Sequence, residues 1–379
     1  MEINHYYNPV RTTEGAGSIQ QLPELVREAV PGGANILILI WSETAALHPV
    51  FVSLKENCRA ARVTIRTFQA SNPSVRQLFE LYQETRKIRP ELIIAVGGGS
   101  VMDVGKTLCL INDIPLSTEE ELRDVIIQKR YGTPGARWIG IPTTAGTGSE
   151  VTCWATIWDP EKNAKRSAES RENYAFAAIV DPELSAGMPP ALAVASALDA
   201  AAHGMESYWA KSSNLISRTF ALAGIDRIMS HIDRLAAGDI KAHEFMAQGS
   251  MLTGLAFSNT KTTACHSISY PLTMEYHIPH GAAVSLLMGP VLMLNFDQIK
   301  EPEPLLKALG IRTPEELSGR IRSILSSAGL PDTLSGWKVP EEALPALASL
   351  GMTKGRADNN PAVLSAGLVE TLLREIYRS

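Results

Sequence analysis

Asp199 and His203 stand four residues apart in DAAAHGMESYW (199–209), a stretch so rich in alanine that it reads as helix. At that spacing both side chains share one helical face. A carboxylate and an imidazole in this register can grip one metal ion. Two more candidates lie in CHSISYPLTMEYHIPHG, where His266 and His280 each sit at the edge of an apolar helical pattern. One carboxylate and three imidazoles form a four-ligand set suited to Fe(II) or Zn(II), with room left for a substrate oxygen. Lone histidines are more often satisfied core or surface residues, and His5, His48, His231 and His243 read that way. His277 precedes His280 by three residues, but the turn before PHG aims it elsewhere.

A second chemistry is written in AVGGGSVMDVGK (95–106), where Gly97, Gly98 and Gly99 follow a buried strand and lead through Ser100 into a helical pattern containing Asp103 and Lys106. Such a turn lets backbone N–H groups approach a pyrophosphate at a helix N-terminus. The segment matches neither GxGxxG nor GxxxxGK[ST], so a purely structural turn competes with the phosphate cradle. The loop PTTAGTGSE (142–150) also follows a strand and carries Thr143, Thr144, Thr147, a serine and two glycines. Two such loops after neighbouring strands flank one crevice, where open α/β sheets bind ligands.

These residues need two kinds of scaffold. Up to about residue 187, β-rich runs at 35–41, 61–68, 91–99 and 136–144 alternate with helix-like segments, the pattern of a parallel sheet with crossover helices. After Pro189 and Pro190, which suit the first turn of a helix, the strand signal gives way to long Ala/Leu/Met-rich helical segments. The fold expected is α/β plus all-α: a Rossmann-like dinucleotide-binding domain with a parallel sheet over 1–187 and a helical metal- and substrate-binding domain over 188–379. The 379 residues suffice for two such cores. With 45% hydrophobic and 20% charged residues and a net charge of −5, the chain has no electrostatic bias toward nucleic acid or anionic membranes. It shows no signal-peptide core or membrane-length apolar run, so a cytoplasmic location is expected. Cys58, Cys109, Cys153 and Cys265 lack CxxC spacing and read as reduced core thiols.

Taken together, GGGSxxDxxK at 97–106, PTTAGTGSE at 142–150, DxxxHxxE at 199–206 and His266 with PHG at 279–281 resemble the iron-dependent (group III) alcohol dehydrogenases, in that order and over nearly the whole chain. The resemblance implies an N-terminal domain that binds NAD(P), a C-terminal helical domain, and a divalent metal, Fe2+ or Zn2+, in the cleft between them. It implies Asp199, His203, His266 and His280 as ligands. Gly97, Gly98, Gly99, Ser100 and Asp103 would surround the pyrophosphate, with Thr143, Thr144, Thr147 and Lys165 along the rest of the cofactor. The implied reaction is hydride transfer from the nicotinamide to a metal-polarised aldehyde. Glu206 takes a supporting part, either a hydrogen bond to a ligating histidine or simple helix stabilisation. Many family members are homodimers or larger.

Three departures bear on specificity. Tyr270 stands where many members have a second histidine four residues after the first; its hydroxyl can pass a proton but is a poorer base at neutral pH. Ser42, followed by Glu43, replaces an aspartate after the first strand that would repel the NADP 2′-phosphate, and NAD(H) is favoured over NADP(H). Asn259, Thr260, Lys261 and Thr262 precede His266 where simple-alcohol members carry smaller apolar residues. Asn259 and Lys261 point to an anionic head group. This segment, with YYNPVR at 6–11 and CWATIWD at 153–159, resembles the branch that reduces sulfoacetaldehyde or phosphonoacetaldehyde, giving isethionate or 2-hydroxyethylphosphonate. Sulfoacetaldehyde is slightly favoured. Alternatives are a general primary alcohol dehydrogenase, the related glycerol dehydrogenases and dehydroquinate synthases, and a nucleotide-binding or assembly protein with an idle metal site.

Overall fold

The run NILILI has no polar alternation, the mark of a strand covered on both faces. It forms β2 (Asn35–Ile40), in which Ile36 to Ile40 are fully buried. The computed structural model describes residues 3–32, 34–57, 62–162, 164–353 and 355–378. β1 (Arg11–Glu14), β2, β3 (Arg62–Thr67), β4 (Leu92–Gly97), β5 (Arg137–Pro142) and β8 (Ala177–Val180) build one sheet in the order β1-β8-β5-β4-β2-β3. Every pairing in it is parallel. β6 (Trp154–Asp159) and β7 (Ala164–Glu169) make a separate antiparallel pair. Alternate residues feed opposite covers: Leu37, Leu39, Ile93 and Ala95 belong to one apolar cluster, Ile36, Ile38, Ile40, Ile94 and Val96 to the other.

The chain runs from β2 out to β3 and returns to the other side of β2 as β4. This reversal is a topological switch point, the place where open α/β sheets bind ligands beyond the carboxyl ends of their strands. Those ends carry Trp41 and Ser42 after β2 and the glycines after β4. Helix α1 (Gly99–Ile111) begins directly there, with Gly98 as its N-cap and no side chain bonding its first N–H groups.

After β8 no strand occurs among the described residues. The helices that matter for the site are α2 (Pro190–Trp209), α3 (Leu215–Met229), α4 (Ala242–Thr260), α5 (Ala264–Tyr276) and α6 (His280–Leu286). Pro190 opens α2 at a position where its missing N–H costs nothing. An Asn214–Ser217 capping box opens α3. Small residues let α2, α3 and α4 approach closely: a Cβ on Gly204 would sit 2.7 Å from Ile225, and one on Gly224 would sit 2.9 Å from the Gly249 carbonyl.

Two compact units emerge, one of residues 8–144 and 149–184, the other of 1–7, 145–148 and 185–379. A single cut near 187 thus misplaces two short segments, for identifiable reasons. The Tyr6 hydroxyl donates to the Leu255 carbonyl at 3.1 Å, and the Asn259 amide bonds both the N–H and the carbonyl of Tyr7. Gly148, at φ 54°, lies so close to α4 that a Cβ would be 2.5 Å from Gly254 Cα. Cys109, Cys153 and Cys265 are buried free thiols, and Cys58 lies outside the described residues. No helix among the described residues is long and apolar enough to cross a membrane.

Candidate metal centre and nucleotide cradle

Asp199, His203 and Glu206 all project from one face of α2 and are buried. α5 contributes His266 near its start and Tyr270 one turn later, and α6 begins at His280 itself. The PHG motif has a steric reason: a Cβ on Gly281 would meet the Ala195 carbonyl oxygen at 2.0 Å, so only glycine lets the start of α6 rest against α2. Asp199, His266 and His280 thereby bring one ligand atom each within 4.8 Å of one another. His266 Nε2 lies 3.3 Å and His280 Nε2 3.9 Å from Asp199 Oδ1. His203 stands beside this set rather than within it: its ring stacks on His266 at 4.3 Å and on Phe257 at 4.2 Å.

The donor set fits a divalent cation. His203 Nδ1 is buried without a hydrogen-bond partner, and Asp199 Oδ1 and His266 Nε2, 3.3 Å apart, are buried facing each other without a well-aligned hydrogen bond, which is costly unless something is bound there. Asp199 and Glu206 also bring two buried carboxylates to one cluster, and one doubly charged ion balances them. Burial pushes the Asp199 carboxyl up, but the neighbouring charges of His203, His280 and His266 outweigh it and hold the group well below the usual range. Burial drives His203 down to about 4. Burial also opposes charge on His266, yet the Glu206 carboxylate and the nearby Asp199 carboxylate raise it to about 9.

Glu206 organises this corner. Its Oε2 bonds His266 Nδ1, while Oε1 accepts from Thr263 Oγ1 at 2.9 Å and from the Cys265 N–H at 2.6 Å. That bond fixes the His266 tautomer so that Nε2 faces Asp199. Tyr270 lies with its ring parallel to His280, 5.8 Å between centroids and 8° between planes. Burial raises its hydroxyl pKa, with the Arg356 charge pulling the other way. The Arg356 guanidinium carbon sits 5.0 Å from the Tyr270 ring centre, and its Nε donates to Thr262 Oγ1 at 3.2 Å. Sequence reading missed Arg356, because nothing in GMTKGRADNN signals that it folds back onto α5.

Asn259 and Lys261 fall elsewhere. The Asn259 amide is committed to Tyr7. Lys261 ends α4 at φ 61° and lines a cavity of about 380 Å³ with Lys211, Ser212, Asn259, Thr260, Gly355, Asp358 and Asn359, none of them an expected metal ligand.

In the α/β unit, a Cβ on Gly97 would lie 2.5 Å from the Val101 side chain and one on Gly98 would lie 3.3 Å from the Thr144 side chain, so the glycines make room for the neighbouring side chains. The Thr143 N–H donates to the Gly97 carbonyl at 3.0 Å, tying the second loop to the first. Ser42 Oγ caps the next helical turn by accepting from the Ala45 N–H, and Ser100 Oγ accepts from the Asn72 N–H. Asp103 faces inward: its oxygens accept from Ser149 Oγ and the Thr156 N–H. Lys106, fully buried, donates to Ser149, Thr152 and the Trp154 carbonyl. Lys165 lies 5.4 Å over the Trp158 ring, and Thr147 belongs to the helical unit.

Comparison with known proteins agrees with this architecture. The model "Iron-containing alcohol dehydrogenase" matches residues 9–182, and "Fe-containing alcohol dehydrogenase family, C-terminal" matches 193–377. Choline dehydrogenase of Bacillus subtilis is 32% identical over 315 residues, covering 80% of this chain and 76% of the relative. Sulfoacetaldehyde reductase of Bilophila wadsworthia is 29% identical over 392 aligned positions, covering 99% of each chain. The crystal structure of sulfoacetaldehyde reductase from Bifidobacterium kashiwanohense in complex with NAD+ superposes with a TM-score of 0.89 at 25% identity, covering all of both chains.

Proposed function

The chain belongs to the iron-containing alcohol dehydrogenase family, and from that premise we propose that it reduces a small anionic two-carbon aldehyde to its alcohol, with sulfoacetaldehyde to isethionate favoured. It is an NAD(P)-dependent oxidoreductase. The observation that carries the reading is the convergence of Asp199, His266 and His280 with buried polar atoms left unpartnered. Similarity to two sulfoacetaldehyde reductases along the full chain supports the substrate class.

In this reading Asp199, His266 and His280 hold the cation and His203 completes the set. When bound, the divalent ion supplies Lewis acidity toward a carbonyl oxygen and the nicotinamide supplies hydride. Glu206 keeps one proton of His266 on Nδ1, so the proton released when a cation binds is the one on Nε2. The N–H groups at the start of α1 take the pyrophosphate, which the glycines admit. NADH is favoured over NADPH: beside Ser42, the Glu43 carboxylate repels a 2′-phosphate. Tyr270 Oη stays protonated at neutral pH and serves as a hydrogen-bond donor rather than a base. Fe2+ is preferred to Zn2+ as the resident ion on the family match.

The test is the initial rate of NADH oxidation with sulfoacetaldehyde, phosphonoacetaldehyde, acetaldehyde and glycolaldehyde, each titrated for kcat/KM. A preference of about 100-fold for one anionic aldehyde, or roughly 2.7 kcal/mol of transition-state discrimination, is expected. Equal rates with the neutral aldehydes would make the protein a general alcohol dehydrogenase.

A further inference from the structure

Arg356 is a half-buried cation with an unusual setting. Among the described residues no carboxylate lies within ion-pair distance of it, and its one side-chain hydrogen bond runs from Nε to Thr262 Oγ1. Other half-buried arginines are matched to acids: Arg166 pairs with Asp159, Arg218 with Glu301 and Arg320 with Asp233. A guanidinium presents five N–H donors, and its two terminal nitrogens form a fork suited to a planar or tetrahedral oxyanion. In Arg356 the bond to Thr262 and the face of Tyr270 fix the stem end, leaving that fork as the unmatched part.

The fork is also placed near the metal ligands. The guanidinium carbon is 5.0 Å from the Tyr270 ring centre, and that centre is 5.8 Å from the His280 ring centre, so the cation lies at most about 11 Å from the His280 ring. In a two-carbon aldehyde the head-group oxygens stand roughly 4–5 Å from the carbonyl oxygen, from ordinary bond lengths. With a charge-assisted hydrogen bond of about 2.8 Å at one end and ligation at the other, such a molecule has a reach that falls within this upper bound. All these residues belong to the helical unit.

We infer that Arg356, held by Thr262 and Tyr270, is the oxyanion-recognising residue that selects sulfonate- or phosphonate-bearing aldehydes. This rests on the anionic-aldehyde reading above. Tyr270 then has a second use, as the platform joining the ligand His280 to the cation. A histidine at that position would present a smaller face, and one that itself takes a proton near neutral pH beside the guanidinium.

The test compares wild type with Arg356→Met in metal-loaded protein, measuring kcat/KM for sulfoacetaldehyde, phosphonoacetaldehyde and acetaldehyde, and calorimetric Kd for unreactive ethanesulfonate. The expected result is that the anionic-to-neutral ratio of kcat/KM falls at least 30-fold, mainly through KM, while ethanesulfonate binding weakens at least tenfold. A wild type that prefers anionic aldehydes and a variant that keeps that ratio within twofold would overturn the role of Arg356 and leave the substrate reading standing. A wild type with no anionic preference would remove both. Should Arg356→Met fail to fold, Arg356→Gln, which retains a hydrogen bond to Thr262, gives the same comparison. Sulfonate and phosphonate are distinguished by which aldehyde loses more.

Discussion

Glu206 touches none of the converging ligand atoms, yet His266 is aimed by it. Its carboxylate also accepts from Thr263 Oγ1 and the backbone of Cys265, so Glu206→Ala would leave several buried donors unmatched and risk the fold. Glu206→Gln preserves the shape and removes the charge that favours His266 Nδ1–H. Its metal affinity is expected to drop 10- to 100-fold, read by competitive chelator titration, with far-UV circular dichroism unchanged. An unchanged affinity would reduce Glu206 to a helix-packing residue. At this scale Asp199 stood out as a candidate ligand because i, i+4 spacing with a histidine on an alanine-rich helix has few other uses, and it lies with His266 and His280 in the converging group. The stacked position of His203 and the neighbourhood of Arg356 were not readable, since both depend on which helix lies across from them.

The elements carry the next constraint, because Asp199, His266 and His280 come from three helices whose spacing is set by residues with no side chain. Gly281 is the clearest case, with the Ala195 carbonyl where its Cβ would go. Gly281→Ala must push the start of α6 away from α2, a cost of about 1–3 kcal/mol by the usual penalty for overpacking. A fall of several degrees in Tm is expected, together with weaker metal binding, because His280 is the adjacent residue. A fall in Tm with intact metal affinity would mean that α6 moves without carrying its histidine. The sequence announced β2, β4, β5 and α2 through continuous apolar runs and a proline start. It did not announce β1 or β8, which are four residues each, or the passage of 145–148 into the helical unit. Loop residues follow tertiary contacts, here Gly148 against α4, and leave no periodicity to read.

For the whole molecule, buried charge links pH to stability. Lys106 is enclosed, and burial lowers its pKa from 10.5 to about 8, with Asp103 pulling the other way. The unfolded chain holds this proton up to about pH 10.5 and the folded chain releases it near 8, so between those values the unfolded state binds more protons. The Lys106 contribution to stability is therefore complete above about 10.5 and lost as pH falls through 8. The wild-type Tm minus that of Lys106→Met is expected to grow as pH rises from 7.5 to 10; a flat difference would show that the lysine keeps its ordinary pKa. The division into an α/β half with a glycine turn at the switch point and a helical half was legible from the change of texture near residue 187. On the proposed function, the helical half works through one bound ion. The most direct measurement is metal content per chain after gentle purification, taken with NADH oxidation on sulfoacetaldehyde, for wild type and Asp199→Ala. Close to one iron or zinc per wild-type chain is expected, with loss of both metal and at least 99% of the activity in the variant, about 2.7 kcal/mol in barrier terms. A metal-free wild-type protein with full activity would contradict it.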